Sequence, residues 1–190
     1  MKKHKKRRRA WIALLLLVPV IAGILAWPGL RRWGMEFAYP LEHEDIIRRY
    51  SEQHGLDPFL VKGVIFTESG FRAEVVSPAG AIGLMQIMPA TGQWLAERMG
   101  IDFDESYLAD PAYNIRMGTF YLRELQQQFL VMDTALAAYN AGRGNVSNWL
   151  QQPEFSADGE TLHDMPFLET RNYVERVHRY TAIYRELYGE

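Results

Sequence analysis

Residues 68–89 read ESGFRAEVVSPAGAIGLMQIMP. One acid, Glu68, closes a mostly apolar segment, FLVKGVIFTE, and a stretch punctuated by glycine and proline follows before the uncharged run GLMQIMP. A carboxyl held against apolar walls keeps its proton near neutral pH, because ionisation there lacks water to solvate the charge. Glu68 is a candidate for such a group. The plainer alternative is an ordinary helix end, a turn and a new helix start.

The flanking sequence supports a helical context. Asp57-Pro58 supplies a side-chain cap and a proline at the first helical position, which opens a helix to about Ser69. Glu68 falls four residues after Val64 and three after Ile65, beside the apolar face. Ser77-Pro78-Ala79-Gly80 reads as a turn, and Pro89 suits the first turn of a helix to about Met99. Asp110-Pro111 repeats the cap signal and opens the longest helix of this region, to about Phe129, in which Gly118 suggests a close helix crossing. Further helices are expected over 42–54 and 133–141 and from Glu169 to about Leu187, with one more turn over 146–150. Residues 104–110 and 151–167 read as irregular connections. No alternating strand run of useful length occurs, so the fold class is all-α or mainly α.

Composition bounds the rest. A chain of 190 residues suits one domain with a substantial core. Seven of the first nine residues are Lys or Arg, leaving residues 10–190 with a formal net charge of -9. Such a balance argues against nucleic acid as a partner, which needs a basic surface. There is no cysteine, which excludes disulfides and thiolate metal sites. The five histidines are scattered and form no metal motif.

The run from Ala10 to Leu30 is uncharged over 21 residues, near the ~20 needed to cross a bilayer's hydrocarbon core. Trp11, Trp27 and Trp33 mark its ends, as interfacial rings do. A cleaved signal peptide and a buried helix are the alternatives, but the run exceeds the usual apolar core of a signal peptide. The basic segment before it favours a cytoplasmic N-terminus. The expected organisation is therefore a basic cytoplasmic tail (1–9), a transmembrane signal-anchor (10–30), a linker (31–41) and a catalytic domain outside the cytoplasm (42–190).

Three further segments complete a pattern: GAIGLMQIMP at 80–89, AYNAG at 138–142 and ETRNYV at 169–174. Together with ESGF at 68–71, and in this order, they resemble the catalytic domain of the soluble-lytic-transglycosylase family, a lysozyme-like fold that cleaves peptidoglycan. The resemblance implies Glu68 as general acid and base. It places Ser69, Met85, Gln86 and Asn140 along the sugar sites, Tyr173 beside the catalytic carboxyl and Tyr139 in the AYNAG cleft motif. It implies peptidoglycan glycan strands as partner, no cofactor and no metal.

The implied reaction breaks the β-1,4 bond from N-acetylmuramic acid to N-acetylglucosamine without water, leaving a 1,6-anhydromuramoyl end. A single carboxyl suffices for that chemistry, whereas ordinary glycosidases use two, about 5–5.5 or 6.5–9.5 Å apart. Glu74, Asp102 and Asp104 are available by composition, but none lies in a motif that argues for a partner role. A water-using muramidase with the same cleft, and an inactive wall-binding protein, remain the competing readings.

Overall fold

The computed structural model describes Gly23, Trp27 and residues 29–189. Contacts divide the chain into one unit ending at Leu41 and a second beginning at Glu42. In the first unit, residues 29–38 are helical where the sequence suggests a linker, and Arg32 pairs with Glu36 one turn on at 2.8 Å. The expected tail 1–9 and nearly all of the expected span 10–30 lie outside the described residues. Among the described residues no helix is long and apolar enough to cross a membrane.

The second unit is mainly helical. Its elements run α1 (Glu44–His54), α2 (Pro58–Glu68), α3 (Pro89–Met99), a 3-10 helix (Glu105–Ala109), α4 (Pro111–Gln128), α5 (Met132–Ala141), α6 (Arg143–Trp149) and α7 (Leu168–Tyr188). Both Asp-Pro signals act as read. Asp57 accepts from the Phe59 N–H at 2.9 Å and Asp110 from the Tyr113 N–H at 2.8 Å, each satisfying a donor that the helix itself leaves unpaired. Two connections differ from expectation. Asp104 caps the Ser106 N–H at 2.8 Å, and this tightens the supposedly irregular stretch into a 3-10 helix. α6 begins already at Arg143, with Gly142, at φ 85°, as the single residue that separates it from α5.

The largest helix pair is α2 against α7. Leu60, Val61, Val64 and Ile65 of α2 are buried, as are Val177, Thr181 and Tyr184 of α7. Each such aliphatic side chain stabilises the fold by about 1.5–3 kcal/mol. Phe66 meets Tyr180 edge-on at 4.6 Å between ring centroids. α5 packs on both α4 and α7 through the buried run Ala135, Leu136, Ala137 and Ala138, whose small side chains let the three helices approach. Among the described residues β-structure is limited to the antiparallel bridges Val76–Ile82 and Ile82–Ile87, which fold the loop between α2 and α3 back on itself.

Gly118 admits a side chain rather than the helix crossing suggested by the sequence. A Cβ there would lie 2.4 Å from Met85 Sδ and 2.7 Å from Met85 Cβ, so the glycine makes the socket into which the loop inserts Met85. Gly118→Ala is expected to cost about 1–3 kcal/mol by overpacking. Urea denaturation of Gly118→Ala, Met85→Ala and the double variant should show coupling, because Met85→Ala removes the clashing Sδ.

Candidate active site

Glu68 is the last residue of α2, where the helix leaves the core. Part of its surface meets solvent, but the surrounding atoms exclude most water from the carboxyl. Burial pushes its pKa from 4.5 up to about 7, against smaller opposing effects of the Tyr173 hydroxyl and the Arg176 guanidinium. No carboxylate is among the groups that shift it. The dipole of α2 offers no relief either, since Glu68 sits at the helix's negative end.

Two tyrosines flank this carboxyl in different states. Tyr139, from α5, donates its hydroxyl to the Met85 carbonyl at 2.8 Å, so its proton is already committed. The Tyr173 hydroxyl, from α7, is buried without a hydrogen bond of good geometry, yet it lies near enough to lower the Glu68 pKa. The contact is thus a loose one, and it leaves Tyr173 as the tyrosine with a proton to offer the Glu68 anion. Both hydroxyls have pKa values well above the ordinary 10, through burial first and the Glu68 charge second. Both therefore stay protonated across the neutral range.

The loop from Gly70 to Met88 forms the facing wall. Gln86 adopts a left-handed backbone, φ 49°, and its amide donates to the Gly83 carbonyl at 2.8 Å and the Val75 carbonyl at 3.1 Å. Gly83 sits at φ 83°, and a Cβ there would fall 2.3 Å from both the Asn114 amide nitrogen and the Leu108 carbonyl oxygen. Only glycine fits. Asn114 of α4 is fully buried, and its amide ties the loop to the 3-10 helix. It accepts from the Met85 N–H at 2.7 Å and donates to the Leu108 and Ile82 carbonyls at 2.8 and 2.9 Å.

An open cleft of about 260 Å³ runs along this wall, lined by residues including Gln86, Tyr121, Tyr139 and Asn140. Asn140 accepts from the Thr170 hydroxyl at 2.8 Å, which fixes the AYNAG segment to the start of α7. Ser69 and Met85 lie beneath the wall, at 1% and 0% exposure. The Ser69 hydroxyl sits 2.8 Å from the Leu84 carbonyl and 3.1 Å from that of Ile65, tying the end of α2 to the loop. Of the residues singled out in the sequence, Gln86, Tyr139 and Asn140 share the cleft, Glu68 and Tyr173 meet beside it, and Ser69 and Met85 hold it from behind. Asn114, Tyr121 and Arg176 are not singled out by the sequence, and Thr170 enters only within the ETRNYV segment. Arg176 stands one turn from Tyr173 on α7.

The Transglycosylase SLT domain family model matches residues 45–161, more than half the chain, and the chain belongs to that family. The soluble lytic murein transglycosylase of Escherichia coli K12 is 36% identical over 162 residues, which cover 82% of this chain and 25% of that protein. Membrane-bound lytic murein transglycosylase C of Actinobacillus pleuropneumoniae is 32% identical over 157 residues, covering 70% of this chain and 42% of that one. The 70 kDa soluble lytic transglycosylase of Escherichia coli, solved by crystallography, matches with a TM-score of 0.72 and 34% identity over 82% of this chain and 26% of that one. An inactive mutant of the lytic transglycosylase Slt from Pseudomonas aeruginosa gives a TM-score of 0.71 at 32% identity, covering 80% of this chain and 25% of that one. The fold is thus the lysozyme-like one of these enzymes. The chain spans about a quarter of the length of the soluble relatives.

A raised carboxyl pKa has a stability consequence. Its folded value near 7 lies above the ordinary 4.5, so the folded state binds a proton more tightly than the unfolded chain. The stabilisation this gives is complete below about pH 4.5 and is lost as pH rises through about 7. Glu68→Gln removes the ionisation. Relative to wild type it is expected to be near neutral at pH 4.5 and more stable by up to about 3 kcal/mol at pH 8, as read by thermal unfolding at the two pH values.

Proposed function

We propose that this chain is a membrane-anchored lytic transglycosylase of peptidoglycan, with Glu68 as its single acid and base. The observation that carries the reading is a desolvated carboxyl with a pKa near 7, flanked by two tyrosines and shifted by no second carboxylate. Such a group both gives and takes a proton near neutrality. The names of the relatives point to the same reaction class.

In the first step protonated Glu68 gives its proton to the glycosidic oxygen, and the bond from that oxygen to the muramoyl C1 breaks. The substrate's acetamido oxygen stabilises the developing charge at C1. The Glu68 carboxylate then takes the proton of the muramoyl 6-hydroxyl as that oxygen bonds to C1, which closes the 1,6-anhydro ring and regenerates the acid. The nucleophile belongs to the substrate, so its effective concentration lets it outcompete water. Tyr173 donates to Glu68 during its anionic interval, and Gln86, Tyr139 and Asn140 contribute the glycan-facing wall. Ser69 and Met85 support that wall by the contacts that bury them.

The catalytic domain is assigned to residues 42–190 and the anchor to residues 10–30, with the basic tail 1–9 in the cytoplasm and the domain outside it. The length and lack of charge of 10–30, together with seven basic residues before it, support this orientation. Intact cells should leave the domain open to added protease while protecting the tail, and N-terminal sequencing of the membrane fraction should find residues before Arg31. Their loss would mean that the segment is cleaved.

Purified sacculi digested with the detergent-solubilised full chain are expected to release fragments one water lighter than reducing-end fragments by mass spectrometry. Hydrated ends would establish a muramidase, and no fragments an inactive wall binder. Glu68→Gln should lower turnover by at least about a thousandfold.

The pH profile gives an independent check. With Glu68 at about 7, kcat/KM should fall as pH rises through 7, to about a tenth of its acid-side value at pH 8. Tyr173→Phe removes a group that lowers the Glu68 pKa, so this descending limb should move to higher pH. An unmoved limb would separate Tyr173 from the carboxyl.

A further inference from the structure

Beyond Asn140 and Gln86 the cleft does not stop at Tyr139. Tyr139 packs on Tyr121 at 5.2 Å between ring centroids, and Tyr121 meets Trp94 edge-on at 6.3 Å. This row of rings leads from the neighbourhood of Glu68 into a second pocket of about 210 Å³, lined by Ala90, Thr91, Trp94, Tyr121 and Arg143. Thr91 and Tyr121 belong to both pockets, so the two are one continuous surface.

Two guanidinium groups lie against the Trp94 ring, that of Arg143 at 4.4 Å and that of Arg98 at 5.3 Å from its centroid. They differ in what else they hold. Arg98 is neutralised by Glu124 at 2.6 Å. Arg143 has no carboxylate partner among the described residues. The Tyr121 hydroxyl is close enough to feel its charge. A planar cation held in place by stacking, with its donor edge uncommitted and an aromatic floor beside it, is suited to bind a carboxylate bidentately.

We propose that this Trp94–Tyr121–Arg143 pocket binds a carboxylate of the peptide stem carried by the muramoyl residues, making Arg143 a specificity residue for peptide-bearing strands. The inference rests on the proposed glycan cleft. The sugar rings of the strand are uncharged, whereas its peptide stems end in and carry free carboxylates. Arg143, which has no carboxylate partner among the described residues, therefore has its natural counterpart in the stem. Stacking of Arg143 on Trp94 limits the side-chain entropy lost on binding, and the exposed setting makes the attraction sensitive to salt.

The test compares three preparations of soluble glycan strands with the detergent-solubilised full chain: peptide-bearing strands, the same strands with carboxylates converted to amides, and strands stripped of peptide by an amidase. Wild type is expected to show a KM roughly five- to tenfold lower on the first than on the second, with little change in kcat. Arg143→Gln should bring that ratio near one, and Arg143→Lys should recover part of it. Stripped strands expose the lactyl carboxylate in place of the stem. Equal KM on stripped and peptide-bearing strands would overturn the stem assignment, and an unchanged preference in Arg143→Gln would overturn the role of the pocket. If wild type cleaves none of the strands, the enzymatic reading fails separately. Equilibrium binding of Glu68→Gln to the three preparations, read by intrinsic tryptophan fluorescence, then decides the pocket, which stands only if amidation weakens binding and adding Arg143→Gln abolishes the difference.

Discussion

The withdrawal of water from one carboxyl at the end of α2 is the constraint around which the rest of this domain is arranged. Ionised carboxylates are solvated far better by water than by protein, and this one receives neither a helix N-terminus nor a close ion pair in compensation. The environment that achieves this is built from neutral parts. α7 lays Tyr173 beside the carboxyl, α5 brings Tyr139, and the loop presents backbone carbonyls already engaged with Ser69 and Tyr139. Those carbonyls would repel an anion if they faced it unpaired. Their commitment elsewhere keeps the site neutral without adding a counter-charge.

Holding such a wall in place needs a rigid support, and the fold supplies it from α4. The loop between α2 and α3 contains too little regular structure to position itself, having isolated bridges in place of a sheet. Asn114 satisfies one N–H and two carbonyls of neighbouring segments at once. Met85 fills the socket over Gly118 on the same helix. These two attachments, one polar and one apolar, fix the loop at adjacent points, and the left-handed Gln86 follows directly after. The strained residue is thereby over-determined by its neighbours, as a residue in a sparsely populated backbone region must be. Loss of either attachment reaches the cleft through the backbone of Met85.

Much of this was legible in local sequence because local chemistry causes it. Asp57-Pro58 and Asp110-Pro111 carry their own capping geometry, so the starts of α2 and α4 followed from two residues each. The placement of Glu68 beside the buried face followed from spacing against Val64 and Ile65. What could not be read were relations across distant positions. Asn114, in the first turn of α4, looks like an ordinary polar residue near a helix start; only the return of the loop about 30 residues earlier gives its amide two of its three partners, the third being the Leu108 carbonyl. Gly118 announced a close approach but not its occupant. Ser69 was expected along the sugars, yet its hydroxyl is used by two carbonyls, one of them 15 residues away. In each case the residue type indicated that something must be satisfied, and the tertiary fold decided by what.

The opposing influences on Glu68 also bear on the proposed reaction, in which one carboxyl serves as both acid and base. Burial alone would drive its pKa upward without limit from a partner, giving a strong hold on the proton but a base too strong to release it at neutral pH. Tyr173 and Arg176 both act in the other direction. Arg176 is exposed, so water screens its charge and it trims the shift without creating a salt bridge that would abolish it. Tyr173 is buried and neutral, so it favours the anion through a hydrogen bond while adding no net charge. The resulting value near 7 leaves comparable populations of acid and base at neutrality. A two-carboxyl site divides those duties between residues with pKa values pushed apart. In the proposed reaction a single residue performs them in succession, and a poised pKa is the condition under which neither half of that cycle carries the whole cost of proton transfer.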